Sequence, residues 1–265
     1  MSDEFEIFAV RYAHLDRTAR ENFINGDEHD LPMALDYFVW AIVGENGTYL
    51  LDTGFNAAMG KKRGRNIVRP VEEGLKAIGI EPSSVQDIII SHMHYDHAGN
   101  RDLFPNATYH IQDREMEFCT GRCMCHDYMR HAYEPEDVGA MVTRVYQDRV
   151  KFHDGESVIC PGITVHRVGG HTRGLQVTRV KTKRGWVVLG SDAAHFYANF
   201  EQYRPFPVVQ NVAEMLAGYD RMLELATSQA HVIPGHDPLV LQRYPAHRGD
   251  LDGVVRLDVE PVAAP

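Results

Sequence analysis

The sequence has little cysteine and no long apolar segment, and both shortages narrow the kind of protein that it encodes. Its 265 residues contain 4 cysteines, which in a chain of this length indicate reduced thiols rather than a disulfide framework. No apolar stretch reaches the ~18 residues that a membrane span requires, and the first residues lack the basic and apolar regions of a signal peptide. We therefore expect a cytoplasmic protein with no membrane partner.

Basic residues are also scarce. The chain has 27 Lys and Arg against 37 Asp and Glu, which gives a formal net charge of -10. Nucleic-acid binding needs a clustered positive surface, and the only basic run, Lys61 to Arg65, is typical of a solvated loop or helix start. We expect no nucleic-acid partner and instead a small-molecule substrate. The 44% hydrophobic content is ordinary for a globular protein with a sizeable core.

A stretch rich in metal-ligand side chains is the most informative part of the sequence. A short apolar run ending at Ile90 leads directly into four such side chains: His92, His94, Asp96 and His97. In extended backbone, residues two apart project to the same side, so His92 and His94 can reach one ion. Asp96 and His97 lie just past the turn and face a neighbouring point, which suits two metals about 3.5–4 Å apart. The alternative is a surface cluster of polar residues, but imidazole and carboxylate are the usual ligands of hydrolytic zinc.

Three later segments repeat the arrangement of an apolar strand that stops at a ligand candidate. Ile163–Val168 leads to His171, Trp186–Ser191 leads to Asp192, and His231–Gly235 leads to His236. Catalytic groups collect at strand ends because a rigid sheet holds the following loops in register. Because a single site draws on residues from 92 to 236, we expect one domain over residues 1–265.

The sequence resembles those of the metallo-β-lactamase superfamily. The resemblance rests on the histidine-rich stretch together with four shorter motifs: Leu51-Asp52-Thr53-Gly54, Gly170-His171, Ser191-Asp192 and Gly235-His236. These motifs span most of the chain. The resemblance implies an α/β fold, the αββα sandwich of two mixed sheets flanked by helices, with a dinuclear metal site at one edge.

The resemblance also implies a role for each ligand candidate. His92, His94 and His171 would hold the first metal, Asp96, His97 and His236 the second, and Asp192 would bridge both. The expected cofactor is two Zn²⁺ per chain, with Fe, Mn or Co as alternatives. Asp52 would orient an imidazole from behind. A hydroxide shared by the two ions would attack the substrate, because metal coordination lowers the pKa of water to about 7, and Asp96 would accept and pass on its proton.

Within the superfamily, His94 in place of a carboxylate points away from the flavin-linked di-iron branch. The complete second ligand group points away from mononuclear sulfur dioxygenases, so hydrolysis remains. The sequence is most similar to the N-acyl-homoserine lactonase group, which implies a metal-dependent hydrolase that opens a small cyclic ester. A cyclic amide or imide, or a thioester as in glyoxalase II, are the alternative substrates of the same dinuclear site.

His195 marks a departure from the lactonases. They place a tyrosine three residues after the bridging aspartate, whereas this chain has His195 there and its tyrosine two residues further on, at Tyr197. A histidine can donate a hydrogen bond or shuttle a proton, so we predict that His195 is catalytic and contacts the substrate carbonyl. The alternative is that its ring only packs under the following loop.

Hydrophobic periodicity predicts several elements around these motifs. It predicts a turn at Glu45–Gly47, a helix over residues 67–79, a loop over residues 14–32 that helps to wall the pocket, and strands at Phe5–Tyr12, Asp36–Val43, Thr48–Asp52 and Val85–Ile90. Phe23, Ile24, Leu31 and Met33 of that loop are candidates for substrate contact, with core packing as the alternative.

Residues 113–151 form a mixed region rich in Met, His, Arg and Tyr. In the family, an insertion here supplies part of the substrate pocket and often the dimer contact, so the resemblance implies a homodimer; a helical cap over a sheet is the alternative. Cys119, Cys123 and Cys125 lie in this region beside His126. Because their spacing is not the paired C-x-x-C of structural zinc sites, we expect ordinary thiols there, with a structural zinc site as the alternative.

Overall fold

The fold consists of two β-sheets packed face to face, seen in a computed structural model that describes residues 3–45 and 47–262. The first sheet has the strand order β13-β1-β2-β3-β5-β6-β7, with β4 paired to β1. Its strands are β1 (Glu6–Leu15), β2 (Leu35–Gly44), β3 (Gly47–Leu51), β4 (Asn66–Ile67), β5 (Asp87–Ile89), β6 (Thr108–Gln112), β7 (Val150–His153) and β13 (Val254–Arg256). β1 to β3 pair antiparallel, whereas β3, β5, β6 and β7 pair parallel, so the sheet is mixed.

The second sheet has the order β12-β11-β10-β9-β8. Its strands are β8 (Glu156–Cys160), β9 (Ile163–Arg167), β10 (Gln176–Thr182), β11 (Gly185–Ser191) and β12 (Val232–Pro234). Only β12 pairs parallel, with β11, so this sheet is mixed as well.

Helices flank the two sheets. They are α1 (Ala19–Asn22), α2 (Ala57–Arg63), α3 (Val71–Ala77), α4 (Tyr95–Ala98), α5 (Asp113–Cys119), α6 (Asp127–Arg130), α7 (Pro135–Val145), α8 (Tyr197–Glu201), α9 (Val212–Leu225) and α10 (Leu239–Arg243). None of them, in the part of the chain that the structure describes, is long and apolar enough to cross a membrane.

Strand β2 explains how the layers are joined. Successive side chains of a strand point to opposite faces, and in β2 both faces are apolar. Phe38 and Trp40 pack with the second sheet and with α9, while Val39 and Ala41 pack with α3, α5 and α7. This burial on both faces produces the layer order helix, sheet, sheet, helix, and it confirms the predicted αββα sandwich.

The predicted helix over residues 67–79 is wrong at its start. Asn66–Ile67 instead form β4, and helix α3 begins only at Val71, after Pro70. The residue before a proline is biased away from helical backbone, and proline itself suits the helix start. Gly79, predicted to close the helix, has φ 82° and lies just past its end. The predicted strand Val85–Ile90 is likewise shorter, because only Asp87–Ile89 pairs with its neighbours.

Residues 14–32 are less of a loop than predicted. β1 continues through Leu15, α1 follows, and Thr18 bridges to Pro32. Strands β2 and β3 form the predicted hairpin up to the pair Gly44 and Gly47; Asn46, in the middle of the predicted turn, lies outside the described residues.

Candidate metal centre

The seven predicted ligands converge at one edge of the sandwich. His92 and His94 follow β5, Asp96 and His97 lie on the single turn of α4, His171 follows β9, Asp192 follows β11, and His236 follows β12. The first sheet thus supplies four of these side chains and the second sheet three. None of the seven residues is more than 8% exposed.

Three imidazoles, those of His92, His94 and His171, form what we call the three-imidazole group. His171 Nε2 lies 3.1 Å from His92 Nε2 and 2.9 Å from His94 Nδ1. One nitrogen of each ring therefore faces a common point, which is the arrangement of three ligands around a single ion.

Asp96, His97 and His236 form a second group, which we call the carboxylate group. Asp96 Oδ2 lies 3.6 Å from His97 Nε2 and 3.8 Å from His236 Nε2. The three atoms are again close enough to share an ion.

Asp192 lies between the two groups, and its two oxygens face different ones. Oδ2 is 3.3 Å from His171 Nε2 and 3.9 Å from His92 Nε2. Oδ1 is 3.2 Å from His97 Nε2 and 2.9 Å from His236 Nε2. One carboxylate is therefore positioned to contact both groups at once.

The donor atoms of this centre fit divalent metal ions. His97 Nε2 and Asp192 Oδ1 are buried and have no hydrogen-bond partner among the described residues, although buried polar atoms are nearly always bonded. Facing imidazole nitrogens and carboxylate oxygens are the N and O donors that zinc prefers. Both atoms face the carboxylate group, and an ion there would supply the partner that they lack.

Asp52 supports the carboxylate group from behind, at the position that the family resemblance implies. Its Oδ2 lies 2.7 Å from His97 Nδ1 and accepts from the hydroxyls of Ser91 and Ser191, while Oδ1 accepts from Ser91 N. Asp52 and Ser191 have φ values of 62° and 44°, and such left-handed backbone costs of order 1–3 kcal/mol. The hydrogen bonds of this buried cluster offset that cost and join the ends of β3 and β11.

Three of the other four imidazoles are oriented by neutral partners. His92 Nδ1 contacts Ser91 Oγ, and the Nδ1 atoms of His171 and His236 contact the carbonyl oxygens of Val208 and Asp36. A bond at one ring nitrogen fixes the tautomer and aims the other nitrogen. In all three rings the nitrogen that is left faces the centre.

Burial and neighbouring charges separate the electrostatics of the two groups. Burial lowers the pKa values of His92 and His94 well below the ordinary histidine value, and neighbouring imidazoles lower them further. Burial acts the same way on His97, but the carboxylates of Asp192, Asp96 and Asp52 outweigh it and raise its pKa. The three-imidazole group therefore favours neutral rings, and the carboxylate group concentrates negative charge.

His195 lies at the centre and Tyr197 does not. The His195 ring lies flat on Phe206, with centroids 3.6 Å apart, and its Nε2 is 3.0 Å from Asp192 Oδ2. Tyr197 starts α8 and packs in the core, with the Arg243 guanidinium over its ring. His195 lines the cavity above the centre and Tyr197 does not, so Tyr197 is not an alternative to His195 at the site.

A cavity of about 100 Å³ opens above the centre. Asp96, Asp192, His195 and His236 line its floor, and Arg17, Arg63 and Arg65 line its wall. From residues 14–32 it is Leu15 and Arg17 that reach the cavity. None of the four residues predicted for substrate contact lines it: Phe23 is buried in the core, Leu31 is 64% exposed, Ile24 is exposed and Met33 is half-buried.

Residues 113–151 contribute a structural support that sequence reasoning missed. Glu115 on α5 is fully buried and accepts hydrogen bonds from Met93 N, Gly174 N and the Thr172 hydroxyl. It thereby joins the loop of His92 and His94 to the loop of His171. Only its place in a helix beside buried strands hinted at this, because nothing local marks a glutamate as buried.

The four cysteines are free thiols: Cys119 is buried, Cys125 is exposed, and Cys123 and Cys160 are intermediate. No group of metal-capable side chains in residues 3–45 and 47–262 includes a cysteine. The described structure therefore offers no support for the alternative of a structural zinc site at Cys119, Cys123 and Cys125.

Comparison with known proteins gives a consistent result. The family model of the metallo-beta-lactamase superfamily matches residues 34–244. An N-acyl homoserine lactonase from Bacillus sp is 29% identical over 210 residues, which cover 73% of this chain and 74% of that protein. A crystal structure of a B. thuringiensis AiiA mutant with N-decanoyl-L-homoserine bound at the active site superposes with a TM-score of 0.72 at 22% identity, covering 91% of this chain and 96% of that one. AidC, a dizinc quorum-quenching lactonase, superposes with a TM-score of 0.67 at 17% identity, covering 89% and 88%.

Proposed function

Because the chain belongs to the metallo-beta-lactamase superfamily, we propose that it is a dinuclear zinc hydrolase that opens a small cyclic ester. It is a metal-dependent hydrolase that acts on ester bonds. The N-acyl homoserine lactonases named above act on N-acyl homoserine lactones, and a lactone is the first substrate class that we propose for this chain.

One observation carries the dinuclear proposal. The two oxygens of Asp192 contact two separate groups of three donors, with distances of 2.9 to 3.9 Å to four different imidazole nitrogens. A site for one ion needs a single group of three or four donors. A second complete group on the other side of a shared carboxylate supports a second ion.

The chain's own residues then take distinct roles. His92, His94 and His171 would hold one ion, Asp96, His97 and His236 the other, and Asp192 would contact both. When bound, two such ions supply Lewis acidity and lower the pKa of water to about 7. Hydrogen-bond partners on Ser91, Val208, Asp36 and Asp52 orient four of these rings through their outer nitrogens.

Asp96 is the proposed proton carrier of the reaction. Its side chain is 11% exposed, against 4% for Asp192, and it lines the cavity where the substrate would lie. A carboxylate there can accept a proton from the attacking water and deliver it to the leaving alkoxide.

His195 is the proposed hydrogen-bond donor to the substrate carbonyl. Its ring is buried and lines the cavity, and its stacking on Phe206 fixes the ring plane. The same ring contacts Asp192 Oδ2, so it also positions the shared carboxylate. Because a histidine stands where the lactonases have tyrosine, a cyclic amide or imide is our second candidate substrate at the same centre.

A substrate panel on metal-analysed protein tests the proposal. Zinc-loaded protein is assayed with lactones, thioesters and cyclic amides, and we expect the highest kcat/KM on a lactone. Cleavage of cyclic amides alone would select the second candidate. Protein that binds two zinc ions and hydrolyses no member of the panel would contradict the proposed reaction class.

Cytoplasmic location, one domain over residues 1–265 and a homodimer through residues 113–151 stay predictions of the sequence and family resemblance.

A further inference from the structure

The cavity wall carries three arginines, and their ion pairs differ. Arg17 Nε lies 4.0 Å from Glu21 Oε1, and Arg63 Nη2 lies 2.5 Å from Oε1 of the buried Glu134. Arg65 makes no ion pair with any residue that the structure describes. It is therefore the cavity cation without a dedicated acidic partner.

The Arg65 guanidinium is nevertheless held in place. Its Nε donates to the Tyr95 hydroxyl at 3.0 Å, and its Nη1 donates to the Arg63 carbonyl at 2.7 Å. Both partners are neutral acceptors. The group is half-buried and lines the same cavity as Asp96 and His236, and the Tyr37 ring beside it packs edge-on to His236 at 5.0 Å.

A rigid, partly desolvated guanidinium is well suited to bind an anion. Removing a cation from water without a counter-charge costs free energy, and an ionised ligand would recover it. The planar fork of arginine matches a carboxylate in particular. Asp96 is the acidic residue whose charge acts on Arg65, but its carboxylate faces His97 and His236 in the metal centre.

The cavity also limits the size of the ligand. Its volume of about 100 Å³ is well below the roughly 300–1,000 Å³ of pockets that enclose drug-sized molecules. A compact ring fits this space, whereas a long acyl chain would have to lie outside it.

We propose that Arg65 is an anion-binding subsite and that the substrate is a compact cyclic ester that carries a carboxylate. That the substrate is an ester rests on the proposed lactone hydrolysis, whereas its carboxylate is inferred from Arg65 alone. The ester would lie over the metal centre while its carboxylate contacts the guanidinium beside Tyr37 and Tyr95.

A matched pair of substrates tests the subsite by turnover. γ-Butyrolactone-γ-carboxylate and its carboxamide have the same ring and differ in charge. We expect zinc-loaded protein to prefer the carboxylate in kcat/KM by about 10- to 100-fold, the range of a hydrogen-bonded charge pair. The preference should collapse to within about threefold in Arg65→Gln and be partly retained in Arg65→Lys, which keeps the charge but not the fork.

Arg69→Gln is the control, because this substitution also removes one arginine charge. Arg69 donates to the Asp252 carbonyl and does not line the cavity. Arg69→Gln should leave the substrate ratio unchanged. Metal content and thermal unfolding are measured for every variant, so that loss of zinc or of folding is not mistaken for loss of recognition.

A binding measurement separates this inference from the proposed reaction. Cyclopentanecarboxylate and cyclopentanecarboxamide cannot be hydrolysed as lactones, and calorimetry on zinc-loaded protein should detect the carboxylate preference and its loss in Arg65→Gln. If neither lactone is turned over but this preference is seen, the proposed reaction fails and the subsite stands. If the preference is absent, or is unchanged in Arg65→Gln and Arg65→Lys, the subsite is overturned whatever the enzyme hydrolyses.

Discussion

The two donor groups on either side of Asp192 each contain three side chains, but different kinds of residue orient their imidazoles. The three-imidazole group is oriented by a hydroxyl and a backbone carbonyl, through Ser91 and Val208. In the carboxylate group, Asp96 is itself a member, and the buried Asp52 contacts the outer nitrogen of His97. One group is therefore electrically neutral apart from Asp192, and the other carries two further carboxylates.

This difference shows that the two halves of the centre are not equivalent. Negative charge raises ligand basicity and metal affinity. We therefore expect metal affinity at the carboxylate group to depend on the charge of Asp52, and metal affinity at the three-imidazole group to depend on the positions of the loops that carry its histidines. Variants that touch one group and spare the other test this division.

Asp192 is the side chain that both groups share, so its loss should have the largest effect. Asp192→Ala should lower kcat/KM by about 10³-fold or more, because both proposed metal positions would lose a ligand. Metal analysis and kinetics are measured together. Asp220→Ala, which removes an exposed carboxylate on α9, is the control, and full activity with two ions in Asp192→Ala would disprove the shared role.

His195 contacts only Oδ2 of Asp192, the oxygen that faces the three-imidazole group. His195→Ala should lower kcat by about 10²–10³-fold if the ring donates to the developing oxyanion. The comparison is made on protein that retains both ions, with the exposed His126→Ala as control. An unchanged kcat would contradict this donor role, and wholly unchanged kinetics would assign His195 a packing role instead.

Asp52→Asn removes charge behind His97 without changing shape. Loss of such an outer partner typically weakens metal binding by about 10–100-fold, and we expect this at the carboxylate group alone. Competition with a chelator should then release one ion of two at lower chelator concentration than in the unmodified protein. Release of both ions together would argue that the two groups act as one.

Glu115→Gln is the corresponding change at the three-imidazole group. The amide places an N–H₂ among backbone and hydroxyl donors, at a position that now accepts from Met93, Thr172 and Gly174. We expect a loss of about 1–3 kcal/mol in the free energy of unfolding. Denaturant titration of metal-free protein measures this loss. In a chelator titration of zinc-loaded protein, Glu115→Gln should release the ion of the three-imidazole group first, whereas Asp52→Asn should release the ion of the carboxylate group first.

A pair of histidines outside the two donor groups, His110 and His153, gives the smallest effect and separates acid unfolding from metal loss. His110 lies between Asp87 and His153, and burial, with some repulsion from His110, lowers the pKa of His153 to about 4. The unfolded chain binds this proton near pH 6.5 and the folded chain only near 4, so stability present above 6.5 is lost as the pH falls through this window.

Because the His153 ring is half-exposed, solvent screening reduces the loss to about 1 kcal/mol at pH 5. His153→Asn should remove this part of the pH dependence in metal-free protein, measured by denaturant titration at pH 7 and 5. An identical pH dependence in both proteins would contradict the assignment.

The convergence of the seven side chains was largely predictable because its signal is local. His92 to His97 lie within one turn-sized segment, and the other ligands each follow an apolar strand that sequence periodicity reveals. Glu115 and Arg65 were not predictable, because their roles depend on contacts with residues that only folding brings near. Glu115 meets Thr172 across 57 positions of sequence, and Arg65 meets Tyr95 across 30.

The fold was predictable for a similar reason, and its errors were local. Apolar alternation located β1, β2 and β3, and the resemblance supplied their assembly. The predicted helix began too early because Val68 and Val71 have helical spacing, whereas in the structure α3 begins only after Pro70.

The cluster of Asp52, Ser91 and Ser191 has a consequence for the order of folding. It joins the two sheets through hydrogen bonds between residues 139 and 100 positions apart, and contacts of such separation form late because long loops must first close. Neither sheet alone holds a complete set of ligands. We expect zinc to recognise the chain only after the sheets have docked, so that metal uptake acts as a check on completed assembly and not as its trigger.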